Sequence, residues 1–297
     1  MSVTSLREEM AAGPPLPYGR RIELPGRGIT FVRDVPGPTP DAPTVLLLHG
    51  WIASAGLNWF QTFDALGEHY RVLAMDHRGH GRGLRTWKRF RLADCADDAA
   101  ALLDELEIPS AITVGYSMGG PITQLVWRRH PDRVAGLVLC ATSRSFTPRR
   151  ASDRLLLTSL LGMSAAVRVT PPQIRTSVMS RVLKGRLQST PLGRWASREV
   201  QRGDQAAILQ AAWAVGSFDS RRWITDVDAP TAVVVTVHDQ LVPAWRQIKL
   251  ANAIPGATVH RVMADHGACV LAAQVFIPGL LDACASVSQR LPSNARS

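Results

Sequence analysis

Residues 112–120 read ITVGYSMGG. An apolar run ends in Gly115-Tyr116-Ser117-Met118-Gly119-Gly120, and a helix-like segment follows. Small residues on both sides of Ser117 predict a turn too tight for side chains. A serine held there is either a structural hydroxyl or a nucleophile, and the rest of the chain has to decide between the two.

Working outward, strand candidates recur with helical segments between them. RRIEL and ITFVRDV, separated by Pro25-Gly26, read as a hairpin. TVLLLHG (44–50), YRVLAMD (70–76), AITVGYS (111–117), VAGLVLCAT (134–142), TAVVVTVHD (231–239) and ATVHRVMAD (257–265) follow. The central runs are continuously apolar and rich in Val, Ile and Leu, the pattern of strands covered on both faces of a parallel sheet. DCADDAAALLDELEI (94–108) places Ala99, Leu102, Leu103 and Leu106 at helical spacing behind leading acids. PITQLVWRRHPDR, WRQIKLANAI and VFIPGLLDACASVSQRL are further helix candidates. Alternation of strand and helix argues for a doubly wound α/β sheet.

Residues 143–224 break this rhythm and read as an inserted helical cap, with helical stretches at 153–169, 173–187 and 205–218. Between Thr142 and Trp223 stand 14 Lys or Arg against four acids, an excess equal to the whole net charge of +10. The bases are spread among apolar helical stretches without a nucleic-acid motif, so nucleic-acid binding is not favoured. Long basic side chains can lay their stems on apolar surface and keep their charges in water. The cap is therefore expected either to be a solvated basic face or to meet an anionic surface, with its apolar side roofing an acyl pocket. Arg149, Arg150 and Arg154 are the residues put forward for that contact.

Other classes are excluded more simply. No stretch reaches the roughly 18 consecutive apolar residues of a membrane span, and MSVTSLREEMAAGPPLPYGR does not read as a secretory leader. Cys95, Cys140, Cys269 and Cys284 lie far apart, which predicts reduced thiols of a cytoplasmic protein and no zinc site. There is no glycine-rich phosphate loop.

Strand, G-x-S-x-G and helix in succession form the pattern of a nucleophile elbow. Serine needs a base and a group that orients the base. His266, in ADHGACV, lies just beyond the last strand candidate; His77 and His80, in DHRGHGRG, are assigned loop duty. Asp239 directly follows a buried strand and fits the acid, whereas Asp228 falls at the opposite strand end and Asp265 adjoins His266. The order Ser117, Asp239, His266 is the one this architecture calls for. Backbone N–H groups of Met118 and Trp51 are the expected oxyanion donors, and His49, Ile52 and Tyr116 are the candidates for the substrate pocket.

LLLHGW, LAMDHRGHGRG, VGYSMGG, VHDQLVP and ADHG resemble the successive signatures of the α/β-hydrolase superfamily, over about residues 20–142 and 225–290. The resemblance implies a serine-nucleophile, lid-bearing, esterase- or lipase-like member. It implies an eight-stranded, mostly parallel sheet flanked by helices, and Ser117, Asp239 and His266 as the triad. The chain would divide into a tail (1–19), a first core part (20–142), the cap (143–224) and a second core part (225–297). The expected activity is hydrolysis of a carboxylic ester with an apolar acyl group, without metal or organic cofactor. Acyl transfer, perhydrolysis, C–C bond hydrolysis and a non-catalytic binding role are the alternatives. An aspartate in place of Ser117 would have pointed to haloalkane or epoxide chemistry. Two departures from the pattern leave the substrate open: the loop after Asp76 lacks a serine after its second glycine pair, and Gly-Ala-Cys follows His266 without a nearby carboxylate.

Overall fold

The structure, a computed structural model, describes residues 13–148, 151–170 and 190–291. Eight strands form one sheet: β1 (Gly19–Leu24), β2 (Gly28–Val35), β3 (Thr44–Leu48), β4 (Arg71–Met75), β5 (Ala111–Tyr116), β6 (Val134–Cys140), β7 (Thr231–Thr236) and β8 (Thr258–Val262). Their order is β1-β2-β4-β3-β5-β6-β7-β8. β1 and β2 are the expected antiparallel hairpin, β2 also runs antiparallel to β4, and the remaining pairs are parallel. Every residue of β5 and β7 is buried, as strands covered by helices on both faces must be.

The helices are α1 (Ala55–Trp59), α2 (Phe63–Gly67), α3 (Leu92–Glu105), α4 (Gly119–Arg129), α5 (Ala151–Val169), α6 (Pro191–Gln201), α7 (Gln205–Gly216), α8 (Ala244–Ala251), α9 (Ala268–Leu271) and α10 (Ala273–Ser288). One core lies between the sheet and α3, α4 and α8, and includes Leu46, Leu102, Leu103, Ile122 and Val126. The other lies on the opposite face under α1, α2 and α10, around Val45, Trp59, Phe63, Phe276 and Leu280. The strand order turns at β3, which is flanked by β4 and β5, and ligands of such sheets gather at the strand ends nearest such a turn.

Between β6 and β7 the described residues form α5, α6 and α7, with no strand beyond an isolated bridge between Ser145 and Asp219. The predicted helices over 153–169 and 205–218 correspond to α5 and α7; the one over 173–187 lies outside the described residues. α6 is an addition to the reading. Its signal was present in Thr190-Pro191, because Thr190 caps the helix by accepting from the Gly193 N–H at 3.0 Å and Pro occupies its first turn. It was missed because α6 buries Trp195 and Glu199 in place of a continuous apolar stripe. Among the described residues no helix is long and apolar enough to cross a membrane, and the four cysteines are buried and unpaired.

The elbow depends on α4 lying almost against the sheet backbone. A Cβ at Gly119 would stand 2.0 Å from the Leu48 carbonyl oxygen, and one at Gly115 would stand 2.3 Å from the Gly119 carbonyl oxygen. These obstacles are backbone, so a side-chain rotation cannot relieve them. Gly119→Ala should therefore lower stability by about 3 kcal/mol or more. Gly162, inside α5, supplies the opposite case, because an added methyl there would meet nothing within 4 Å among the described residues. Gly162→Ala should stabilise by roughly 0.5–1 kcal/mol through helix propensity. Urea unfolding of both variants measures the contrast.

Candidate active site

Four strand ends supply the site. β5 ends in Ser117, whose φ of +52° lies in the left-handed region that non-glycine residues rarely adopt. Strain of this kind costs about 1–3 kcal/mol and persists only where the surroundings enforce it. Here the Ser117 N–H donates to the Cys140 carbonyl at 2.9 Å, and the Ser117 carbonyl accepts from the Thr142 hydroxyl and the Gly120 N–H, each at 2.9 Å.

His266 follows β8, with Nε2 2.9 Å from Ser117 Oγ and Nδ1 2.7 Å from Asp239 Oδ2. Asp239 follows β7, and its side chain is fully buried. Its Oδ1 accepts from the N–H groups of Leu241 (2.9 Å) and Val242 (2.8 Å), while Oδ2 also accepts from the Thr236 hydroxyl at 2.8 Å. Gln247 Nε2 donates to Thr236 Oγ1 at 2.9 Å and to the Val242 carbonyl at 2.7 Å, which fixes the loop around the carboxylate. With both carboxylate oxygens acting as acceptors, a proton on His266 Nδ1 completes the set and leaves Nε2 able to take the Ser117 proton. The arrangement can thus raise the nucleophilicity of one hydroxyl and store its proton.

The Tyr116 hydroxyl donates to the His266 carbonyl at 2.7 Å, and its ring packs edge-on against Trp59 and Phe276. Proposed for the pocket from sequence, Tyr116 also holds the histidine loop. Thr236, Gln247 and Tyr116 act through side-chain hydrogen bonds around Asp239 and His266; no motif marks Thr236 or Gln247.

The loop after β3 faces the elbow. Gly50 donates to Asn58 Oδ1 at 2.9 Å, and a Cβ at Gly50 would lie 3.4 Å from the Ser117 Cβ. Ile52 has a φ of +58°, a second strained residue beside the first. Among the described residues no hydrogen bond takes up the N–H of Trp51 or of Met118. Both residues line, with Ser117 and His266, a cavity of about 720 Å³. Its walls are mainly apolar, with Leu57, Phe146, Val200, Val215, Leu241 and Val270 among them. Residues of α6 and α7 roof it. Among the described residues α5 contributes none of the lining and packs against α7, where Leu157 covers Gly216.

A buried ionic network ties the roof to the loop. Glu199 of α6 receives two hydrogen bonds from Arg82, at 2.9 and 3.1 Å, and one from the Ser54 hydroxyl at 3.1 Å. Burial alone would raise the Glu199 pKa, but Arg82 and Ser54 hold it below the usual carboxylate value. Ser54 also caps α1, and Trp51 Nε1 donates to the Ile208 carbonyl of α7 at 2.8 Å.

Of the three residues put forward for the pocket, Ile52 and Tyr116 line the cavity and His49 does not. It is fully buried behind the loop, because its Nδ1 donates to the Gly50 carbonyl (2.8 Å) and its Nε2 accepts the His77 N–H (3.0 Å). His77 and His80 stand beside it, with ring centroids 4.3 and 5.6 Å from that of His49. Burial brings the His49 pKa down to about 4 and that of His80 down to about 3, and together with the neighbouring imidazoles depresses that of His77. Among the described residues no group of three or more His, Cys, Asp or Glu could hold a metal ion.

Comparison with known proteins agrees with this architecture. Residues 43–273 match the family model described as alpha/beta hydrolase fold, and the chain belongs to that family of hydrolases. A Serratia proteamaculans protein named "Putative carbamate hydrolase RutD" is 32% identical over 227 residues, covering 73% of this chain and 81% of that one. Epoxide hydrolase B of Mycobacterium tuberculosis is 37% identical over 122 residues, 40% of this chain and 34% of its own. The crystal structure of the enol-lactonase from Burkholderia xenovorans LB400 superposes with a TM-score of 0.73 at 22% identity, covering 90% of this chain and all of that one.

The three buried histidines link stability to pH. Unfolded, each would take a proton near its ordinary value of 6.5; folded, they stay neutral until well below it. The unfolded chain therefore binds more protons as pH falls below 6.5, and stability drops through that window toward about pH 4. His80→Gln should reduce the proton uptake on unfolding at pH 5 by about one. Urea midpoints measured from pH 7 to pH 4.5 for both proteins give that difference, and equal slopes would contradict it.

Proposed function

We propose that this chain is a serine hydrolase that cleaves carboxylic esters with an apolar acyl part. Ser117 Oγ attacks the carbonyl carbon while His266 Nε2 takes its proton. The N–H groups of Met118 and Trp51 receive the negative charge that develops on the carbonyl oxygen, each contributing on the order of 3 kcal/mol to the transition state. Asp239 holds the imidazole and stabilises the imidazolium. The tetrahedral intermediate collapses, the leaving alcohol takes the proton from His266, and the acyl group stays on Ser117. Water, deprotonated by His266, then attacks the acyl-enzyme and releases the acid. The steps need neither a metal nor an organic cofactor.

The observation that carries this reading is the hydrogen-bonded line from Asp239 through His266 to Ser117 opening onto an apolar cavity. A lactone is an internal ester, so the fold shared with an enol-lactonase is compatible with it. Carbamates, named for the RutD relatives, present a carbonyl to the same serine. Serine at the elbow favours ester chemistry over that of the epoxide hydrolase relative.

A fluorophosphonate should label the wild type and fail on Ser117→Ala; equal labelling would refute the assignment. Asp239→Asn should keep the melting temperature within a few degrees while lowering kcat by about 10³-fold or more, because the imidazole loses its tautomer and its support. Near-wild-type turnover would transfer the role to another acid.

A second reading is contact with an anionic lipid surface through the outer face of α5. There Leu155, Leu156, Met163 and Val169 are exposed beside Arg154; Arg149 and Arg150 lie outside the described residues. Basic residues near such a surface contribute about 1 kcal/mol each, and salt screens them. The protein should bind anionic vesicles at low ionic strength and release them near about 0.5 M salt, with Arg154→Gln combined with Leu155→Ser weakening the binding. Equal affinity for neutral and anionic vesicles, or none for either, would remove this reading.

A further inference from the structure

Beside the apolar cavity lies a second hollow of different chemistry. It has a volume of about 370 Å³ and lies between residues 143–148, where the chain leaves β6 for the cap, and one side of α8. Arg144, Arg221, Arg246 and Lys249 line it, with the hydroxyl residues Ser143, Ser145 and Thr147; no Asp or Glu does. Arg221 is already engaged by Asp219, with Nε 2.9 Å from both carboxylate oxygens. Arg144, Arg246 and Lys249 have no carboxylate in ion-pair reach among the described residues.

The cations are gathered, not scattered. The Arg246 guanidinium carbon and the Lys249 ammonium lie 5.5 and 5.0 Å from the centroid of the Trp245 ring. The indole face offsets part of their mutual repulsion, but two like charges held at one ring without a counter-charge leave a strong positive potential. The backbone around them is tied down. The Arg144 carbonyl accepts from the Ser220 N–H at 2.8 Å, and the Phe146 N–H donates to the Phe218 carbonyl at 3.0 Å, so the two crossings between core and cap are paired. A positively charged hollow on a braced backbone is suited to an oxyanion, which can accept a forked pair of hydrogen bonds from a guanidinium.

Arg246 belongs to both hollows, since it also lines the cavity that holds Ser117 and His266. The two hollows therefore adjoin at Arg246, whose guanidinium can meet the far end of a ligand that has its carbonyl at Ser117. Resting on the ester-hydrolase reading, we infer that the preferred substrates are esters carrying an oxyanion group, carboxylate or phosphate. The apolar portion fills the cavity and the anion is held by Arg246, Arg144 and Lys249.

The test uses matched pairs of esters that differ only in the anion. One set compares mono-p-nitrophenyl esters of dicarboxylic acids, from glutarate to sebacate, with p-nitrophenyl esters of the monocarboxylic acids of equal length. The other compares an acyl ester of glycerol phosphate with the same acyl ester of glycerol. At low ionic strength at least one anionic member should exceed its neutral partner about tenfold in kcat/KM, chiefly through KM. Which set responds separates carboxylate from phosphate. In Arg144→Gln combined with Lys249→Gln the ratio should fall toward one. If neutral esters are hydrolysed but no anionic member is preferred, or if the double variant keeps the preference, the anion subsite is refuted. Failure to hydrolyse any of these esters would instead refute the ester-hydrolase reading on which it rests.

Discussion

The Leu48 carbonyl and the Cα of Gly119 lie so close that no side chain fits between them, and the geometry of the site follows from that contact. It lets the first turn of α4 sit on the ends of β3 and β5. Gly115 and Gly120 extend the same close approach toward Thr123 and Thr142. Between these contacts the chain has to reverse direction within one residue, and Ser117 takes the left-handed conformation that the reversal needs. The hydroxyl is raised above the sheet because the backbone around it is closely packed, and the helix that follows leaves the Met118 N–H without a partner among the described residues.

The same sheet aligns groups that are remote in sequence. Ser117 and His266 are 149 positions apart, yet β5, β6, β7 and β8 run parallel, so their carboxyl ends open on one side. Strand direction brings the serine, the acid and the base to a common edge; loop hydrogen bonds then set their final positions. Asp239 is held by two backbone N–H groups and a threonine hydroxyl, and the histidine loop by the Tyr116 hydroxyl. A buried carboxylate with its acceptor sites filled is bound in one orientation, and so directs the imidazole.

The cap combines an apolar inner wall with polar attachments. The cluster of Glu199, Arg82 and Ser54 joins α6 to the loop that carries Trp51, and Arg202 of the same segment also pairs with Glu199, at 3.0 Å. Such a cluster favours one seating of the cap over others, because a displaced helix would separate charges that water does not reach. The basic residues follow a different rule. Where they meet the core at α8, they converge on a hollow that shares Arg246 with the apolar cavity.

Much of the fold was legible in the sequence, because its signals are local. Continuous Val, Ile and Leu runs mark strands buried on both faces; glycines around Ser117 mark a turn without room for side chains; acids and prolines mark helix starts. That Ser117, Asp239 and His266 each follow a strand could be read from the apolar runs before them. What the sequence could not contain is the arrangement produced by elements that meet only after folding. His49, two positions before Trp51 in sequence, turns inward because the backbones of Gly50 and His77 satisfy its ring. Helix α6 was obscured by its polar composition, since its buried Glu199 is compensated in part by Arg82, 117 positions away. The pairing of an apolar cavity with a basic hollow was likewise decided by tertiary structure. Sequence determined that this chain has an excess of bases in residues 143–224; only packing of residues 143–148 against α8 brought Arg144 of that segment beside Arg246, which also lines the cavity of Ser117, because charge converges through space and not along the chain.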